Sequence, residues 1–448
     1  MSFRNTALAC ATSVTLLAAS ATADAQMVER VQSTAGDDAP IENGALSAVA
    51  SVLGGFRVDA TMNTLYDSNI FRLGQGFPPR AGRSKPDVRV SPVVTLSYGT
   101  AIGRQQLFLS GLVGRDIYVE NTDRNRNHYG LNGGLNWRLG GRCSGTIDGD
   151  YSSRQQLLSE VSSSSQNVQQ LLSYGGSATC RSATGISVGG DIHRNTTRNN
   201  DLNRKPFDSS STSFSPQLSY GSPTLGEFSL SGSLNHVKYP NRPVLDSNHD
   251  VQAEGIDIRS GRFGYQRGLG GRLSANFGVS YYDVTPRPRD VLLPIIPGLP
   301  FLAPVSRKSN SNLGYDLGLN YNSGSRLTAA LTARKSAQAS VNVGAQYQVI
   351  QAISGTIDYQ LNRSVTANTG VTYTQRDYKN SFASVPEPLR RLQDKITRAY
   401  VGLSYSPGSR YTVSGEVAYQ DRSSRPVEYS FHSVAALLRL RVGFGGHG

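Results

Sequence analysis

The chain has 448 residues, a net charge of +13 and a mean hydropathy of -0.34, with 38% hydrophobic residues. No stretch after residue 55 is apolar for the roughly 18 residues that a membrane helix needs, which excludes a helical membrane protein. The 47 Gly and 22 Tyr, and the scarcity of helical patterns, argue against the two or three soluble domains that the length alone would suggest.

The N-terminus reads as an export signal. Arg4 supplies a positive region, Ala7 to Ala19 is small and apolar, and Ala23-Asp24-Ala25 fits an A-x-A cleavage site, so residues 1–25 are expected to be removed. Export excludes nucleic acid as a partner for a basic chain. It leaves lipopolysaccharide phosphates, acidic polysaccharides and anionic solutes. Residues 26–55 are polar and partly acidic, and are expected to form a periplasmic arm.

From Phe56 onward, apolar and polar residues alternate almost without a break. Tyr129, Leu131, Leu135, Trp137 and Leu139 share one face of a run whose other face carries Asn132, Asn136 and Arg138. Such a dyad buries one face of a strand and wets the other. The pattern predicts about eighteen strands. The first nine span 56–68, 87–99, 104–120, 128–140, 142–156, 166–181, 185–197, 211–221 and 226–241. The rest span 249–266, 271–285, 309–322, 326–337, 342–362, 364–379, 394–406, 410–425 and 428–444. The run at 249–266 changes phase between Ile258 and Phe263, which predicts a bulge there.

The connections alternate in length. Tight turns such as 140–141, 182–184, 323–325 and 407–409 interleave with longer polar loops at 69–86, 198–210, 286–308 and 380–393. LNYNSGSRLTAAL (319–331) and LSYSPGSRYTVSG (403–415) repeat one hairpin of aromatic, small turn, Arg and renewed alternation. Short turns on one side and long loops on the other mark a transmembrane antiparallel up-and-down β-barrel of 16–18 strands over residues 56–448, with its short turns in the periplasm. Propeller blades would recur at a fixed period, and these hairpins do not.

Chemistry-bearing motifs are weak. Gly185-Ile186-Ser187-Val188-Gly189 fits G-x-S-x-G but falls at the start of a regular strand, where the strand-to-helix elbow of a hydrolase has no place. The six His are scattered without a ligand pair, so neither catalytic nor metal-ligating residues are expected, and no cofactor. By parity Arg57, Arg89, Arg138, Arg154, Arg398, Arg439 and Arg441 point to the lumen, together with Asp59, Asp148, Asp150, Asp316 and Glu416. Two readings stay open: a solvated wall of internal ion pairs, or a cationic path for an acidic chain. Cys143 opens one strand and Cys180 closes the next, which places them opposite each other as a candidate disulfide in an oxidising compartment. The apolar loop 286–305 holds six prolines, which predicts no regular pairing there. It is expected to enter the lumen as a constriction, to meet lipid or a partner at the rim, or to cap the mouth.

Tyr66-Asp67-Ser68-Asn69-Ile70-Phe71-Arg72 resembles the Y-D-x-N-[IV]-[FY]-R signature of a proteobacterial outer-membrane β-barrel porin family, with looser likeness from Phe56 to Phe444. The chain departs from many barrels in following Phe444 with Gly-Gly-His-Gly. The resemblance implies outer-membrane lipids as surroundings. Because members often sit in exopolysaccharide gene clusters, it also implies a part in exopolysaccharide secretion, with acidic polysaccharide and periplasmic export components as partners. A diffusion porin for small or anionic solutes and a plugged docking barrel are the alternatives.

Overall fold

The computed structural model describes residues 55–445 apart from 75, 77, 80–81, 156–166, 295–301, 325, 341–344, 380–391, 409 and 426. The expected signal and arm lie outside the described residues. The dyad pattern becomes strands throughout: β1 (Gly55–Asp67), β2 (Asp87–Ile102), β3 (Gln105–Tyr118), β4 (Arg126–Leu139), β5 (Cys143–Gln155) and β6 (Val168–Arg181). Next come β7 (Ile186–Asn199), β8 (Ser209–Ser222), β9 (Gly226–Asp246), β10 (Val251–Leu269) and β11 (Leu273–Arg287), then the short β12 (Asp290–Pro294) and β13 (Leu302–Ser306). β14 (Asn310–Asn322), β15 (Leu327–Ala339), β16 (Tyr347–Gln360) and β17 (Val365–Lys379) precede β18 (Gln393–Tyr405), β19 (Tyr411–Arg425) and β20 (Phe431–Gly445).

Neighbours in sequence pair antiparallel, and β11 pairs onward with β14. β1 and β20 close the ring from Arg57 opposite Gly445 to Asp67 opposite Ala435. Setting aside β12 and β13, eighteen of the twenty strands form the closed barrel. Closure removes the sheet edges whose unpaired amides lipid could not satisfy. Tight turns and longer loops fall at opposite ends, as their alternation requires. Gly140 (φ 62) and Gly141 (φ 92) make one such turn, in a backbone region that residues with a Cβ rarely adopt.

The outer wall is apolar. Leu96, Leu131, Ile147, Val188, Leu230, Leu317, Val401 and Leu440 are all exposed, and Tyr98, Tyr405 and Tyr411 ring the turn end while Tyr66, Tyr129 and Tyr281 ring the loop end. The inner wall carries Asp59, Ser91, Thr95, Ser97, Ser110 and Asn132. An apolar band between aromatic girdles with a polar inside is the inverse of a soluble protein and suits a bilayer.

Two local expectations are corrected. The irregularity of β10 lies between Ala253 and Glu254, and the strand runs regularly through Ile258 and Phe263. Ile256 and Ile258 look out of phase because they face the lumen, where something apolar covers them. The prolines of 286–305 do not forbid pairing: β12 and β13 form a ladder with Leu292 opposite Pro304 and Pro294 opposite Leu302. A two-stranded ladder offers proline edge positions where its missing donor is not needed. β12 also pairs with the end of β9, Val291 opposite Asp246, so this hairpin sits at the mouth.

What covers Ile256 and Ile258 is the tip of β15–β16. β14 and β15 pair only from Tyr315–Lys335 to Asn322–Thr328, whereas β15 and β16 stay paired up to Ala339–Tyr347. Above Lys335 the hairpin leaves the wall and folds inward. Ala337, Ala339, Tyr347 and Val349 pack on Val237, Tyr239, Ile256, Ile258, Tyr282 and Val284. The apolar core of this protein therefore lies inside the barrel, at its loop end.

Candidate functional site: the lumen and its mouth

Seven arginines expected in the lumen all fall on the inner face, but they do not form one ring. Two converge at the turn end. Asp59 accepts from Arg57 Nε at 2.9 Å and from Arg441 Nε at 3.1 Å, across the β1–β20 closure. Arg439 donates to the neutral Asn63 at 2.9 Å. Two cations thus share one carboxylate, with Arg439 one inner position along from Arg441, because a dyad strand repeats its inner side chains every second residue.

The others are dispersed. Arg398 meets Glu416 at 3.4 Å. Arg89 lies 3.9 Å from Asp116, whose carboxylate also takes the Ser91 hydroxyl at 2.5 Å. Arg138 sits exposed at the turn end, its backbone exchanging two hydrogen bonds with the Gln105 side chain. Arg154 is near the loop end of β5, with Asp148 and Asp150 on the same face. Asp316 is held in a fork by Arg262 at 2.7 and 2.6 Å. Sequence reasoning missed Arg262 because the phase of its strand was misjudged. It also passed over Arg334, Arg376 and Arg422, which share the inward parity of β15, β17 and β19. Asp394, fully buried, takes Arg422 at 2.7 Å, Tyr378 at 2.8 Å and Ser424 at 2.7 Å. Ser187 of the G-x-S-x-G stretch pairs within the β6–β7–β8 ladder, not at an elbow.

At the mouth, charge and packing combine. Glu254 lies 3.5 Å from Arg242 and 3.2 Å from Arg307, and all three side chains are buried. Gln346, in the infolded tip, bridges them: with its amide oriented to satisfy both neighbours, it donates to Glu254 and accepts from Arg307 at 2.9 Å. Burial lowers the Arg307 guanidinium below its ordinary value, and the Glu254 carboxylate beside it pushes the other way. Tyr239 donates to the Ser340 carbonyl at 2.8 Å, and Arg242 lies 4.0 Å over the Tyr239 ring. A buried carboxylate shared by two guanidiniums and an amide latches the tip to the β9–β10 wall.

The Tyr66–Arg72 stretch is also at the loop end, and its contacts are structural. Asp67 accepts from the Asn69 amide at 2.8 Å and from Arg72 at 2.6 Å. Asn69 binds Leu73 in both directions and reaches the His432 carbonyl, while Ser68 exchanges hydrogen bonds with Val434. Phe71 is fully buried beneath Arg83 and Arg124. The stretch clamps the first loop to β20 and to the loop after β3. Cys143 and Cys180 are register partners on β5 and β6, their Cα atoms 4.0 Å apart and their sulfurs joined.

Residues 308–444 match the profile of the family described as "Putative beta-barrel porin 2", which covers β14 to β20 and not the Tyr66–Arg72 signature. No curated protein matches the sequence. Among solved structures, Pseudomonas aeruginosa OpdK with vanillate is similar at TM-score 0.44 and 10% identity, over 87% of this chain and 99% of that one. Pseudomonas aeruginosa OccK2 (OpdF) in complex with glucuronate gives 0.45 and 10%, over 87% and 98%. The siderophore receptor PirA from the same organism gives 0.43 and 11%, over 87% and 80%. The porin-family match and the lipid-facing wall place this barrel in the outer membrane.

Proposed function

We propose that this outer-membrane barrel is a porin for small hydrophilic solutes, with anions favoured. The observation that carries the reading is the β15–β16 tip, folded into the mouth of a barrel whose inner face is otherwise polar and charged. A wall of Ser, Thr, Asn, Asp and Arg costs free energy unless it is solvated, and barrels of 16–18 strands leave an aqueous channel. The tip narrows that channel with apolar packing, which suits small solutes. A long hydrated polymer would need the tip displaced. The secretion of exopolysaccharide rests on the family's usual gene setting alone, while the packed mouth also favours a plugged docking barrel.

Proteoliposome swelling with sugars of rising size tests this. Mono- and disaccharides should enter and longer oligosaccharides should not. Tyr347→Ser with Val349→Ser should raise the size limit by loosening the tip. Absence of swelling with every sugar would leave the docking barrel, and free passage of long acidic oligosaccharides through the unaltered protein would restore the polymer path.

A further inference from the structure

One polar block on the outer wall serves neither the lumen nor the apolar belt. On β9, β10 and β11 the outward apolar positions end at Leu234, Phe263 and Tyr281 on the loop side, and charged residues follow. Pairing lays the block out as a grid. Lys238 faces Gly255, which faces Arg287; His236 faces Asp257, which faces Thr285; Leu234 faces Arg259, which faces Asp283. Side chains in such rows stand about 5 Å apart from strand to strand on one face.

Asp257, itself buried, pins the block. It holds His236 Nδ1 at 2.6 Å and the Arg287 guanidinium, so both are fixed while half of each side chain or more stays exposed. Asp283 is engaged away from Arg259, accepting from Thr285 at 2.9 Å and Ser311 at 2.8 Å. Lys238 and Arg259 are exposed and make no ion pair among the described residues. Three permanent cations against two carboxylates leave an excess of one positive charge, or two with His236 protonated. Directly toward the membrane lie Leu230, Leu234, Phe263, Tyr281 and Leu313, each about half exposed.

We propose that this block binds the phosphate-bearing headgroup of a glycolipid of the outer leaflet. Lys238, Arg259 and Arg287 would meet the phosphate oxygens, and the acyl chains would lie along Leu230, Leu234, Phe263, Tyr281 and Leu313. Charge decides the occupant. Guanidinium and ammonium groups left unpaired at the edge of an apolar belt fit a phosphate layer. A second copy of this chain docked about a two-fold axis would set the same cationic excess against itself. The inference does not depend on whether the lumen conducts.

Native mass spectrometry of the purified full-length barrel in detergent tests it, with three probes: diphosphorylated lipid A, fully dephosphorylated lipid A, and inorganic phosphate. The unaltered protein should retain diphosphorylated lipid A. Lys238→Glu with Arg259→Glu, both at exposed positions, should weaken that binding about tenfold or more, while Lys238→Arg with Arg259→Lys should keep it. Heat-modifiable mobility on gels verifies that each variant is folded. Equal retention by the unaltered protein and the charge-reversed variant would overturn the proposal, as would equal binding of dephosphorylated lipid A. Inorganic phosphate competing as well as the lipid would reassign the block to a free anion. A dimer abolished by charge reversal would reassign it to a protein interface.

Discussion

Asp67 is the residue on which the Tyr66–Arg72 stretch turns. Its buried carboxylate accepts from the Asn69 amide and from Arg72, whose backbone sits at φ 53, a region few non-glycine residues occupy. The carboxylate therefore offsets a strained backbone and a buried guanidinium together. Phe71 then fills the space between Arg83 and Arg124, and Ser68 ties the loop to β20. A motif explained by its own contacts is a device for closing the barrel, which is why it gives no substrate. Asp67→Asn should cost about 3–5 kcal/mol, the usual result of removing one partner of a buried pair. The measurement is the temperature at which the folded gel band converts to the unfolded one; conversion at the unaltered temperature would show that the clamp is not structural. At this scale the sequence was partly legible. Arg57 and Asp59 are two apart on one strand, so their pairing can be read directly, but Arg441 joins them only through the β1–β20 closure, whose register no local pattern reveals.

Elements were legible where a strand simply continued its dyad, and failed where one left the wall. Tyr347 and Val349 alternate like any outward pair, and on a straight strand they would face lipid. They are buried because β14 and β15 stop pairing above Tyr315–Lys335 and the hairpin turns inside. The only trace in the sequence was the apolar pair Ile256 and Ile258 on the inner parity, which suggested a bulge instead. The proline-rich loop misled for a related reason: its short ladder at the mouth needs few donors, so prolines at 294 and 304 do not break it. What holds the infolded tip is Glu254, between Arg242 and Arg307 and in contact with Gln346. Glu254→Gln leaves two buried guanidiniums without their carboxylate, a change that costs roughly 3–5 kcal/mol when no new partner forms. Amides of residues 336–339 and 347–350 should then exchange with solvent faster, by hydrogen exchange read segment by segment, while the β18–β19 ladder stays protected. Unchanged exchange at the tip would mean that apolar packing alone keeps it inside.

At the scale of the whole molecule, the barrel sorts its charge by face and by end. The class was readable from alternation and from the two lengths of connection, since both follow from how a closed sheet crosses a bilayer. Net lumen charge was not, because it depends on which cations find acids across strands. Glu416 offsets Arg398 and Asp316 offsets Arg262. At the turn end Arg57 and Arg441 share Asp59, an excess of one positive charge where β1 meets β20, and Arg439 next along β20 donates to the neutral Asn63. A cationic cluster on a lumen wall concentrates anions and repels cations. Planar bilayers under a salt gradient should therefore give a reversal potential on the anion side. Arg439→Glu with Arg441→Glu changes the local balance by four charges and should abolish or invert that preference. Because the Debye length falls from about 10 Å at 0.1 M to about 3 Å at 1 M salt, the selectivity should fade as ionic strength rises. Cation preference in the unaltered protein would remove the turn-end cluster as the selecting element, and a preference indifferent to the double substitution would move it to other lumen arginines.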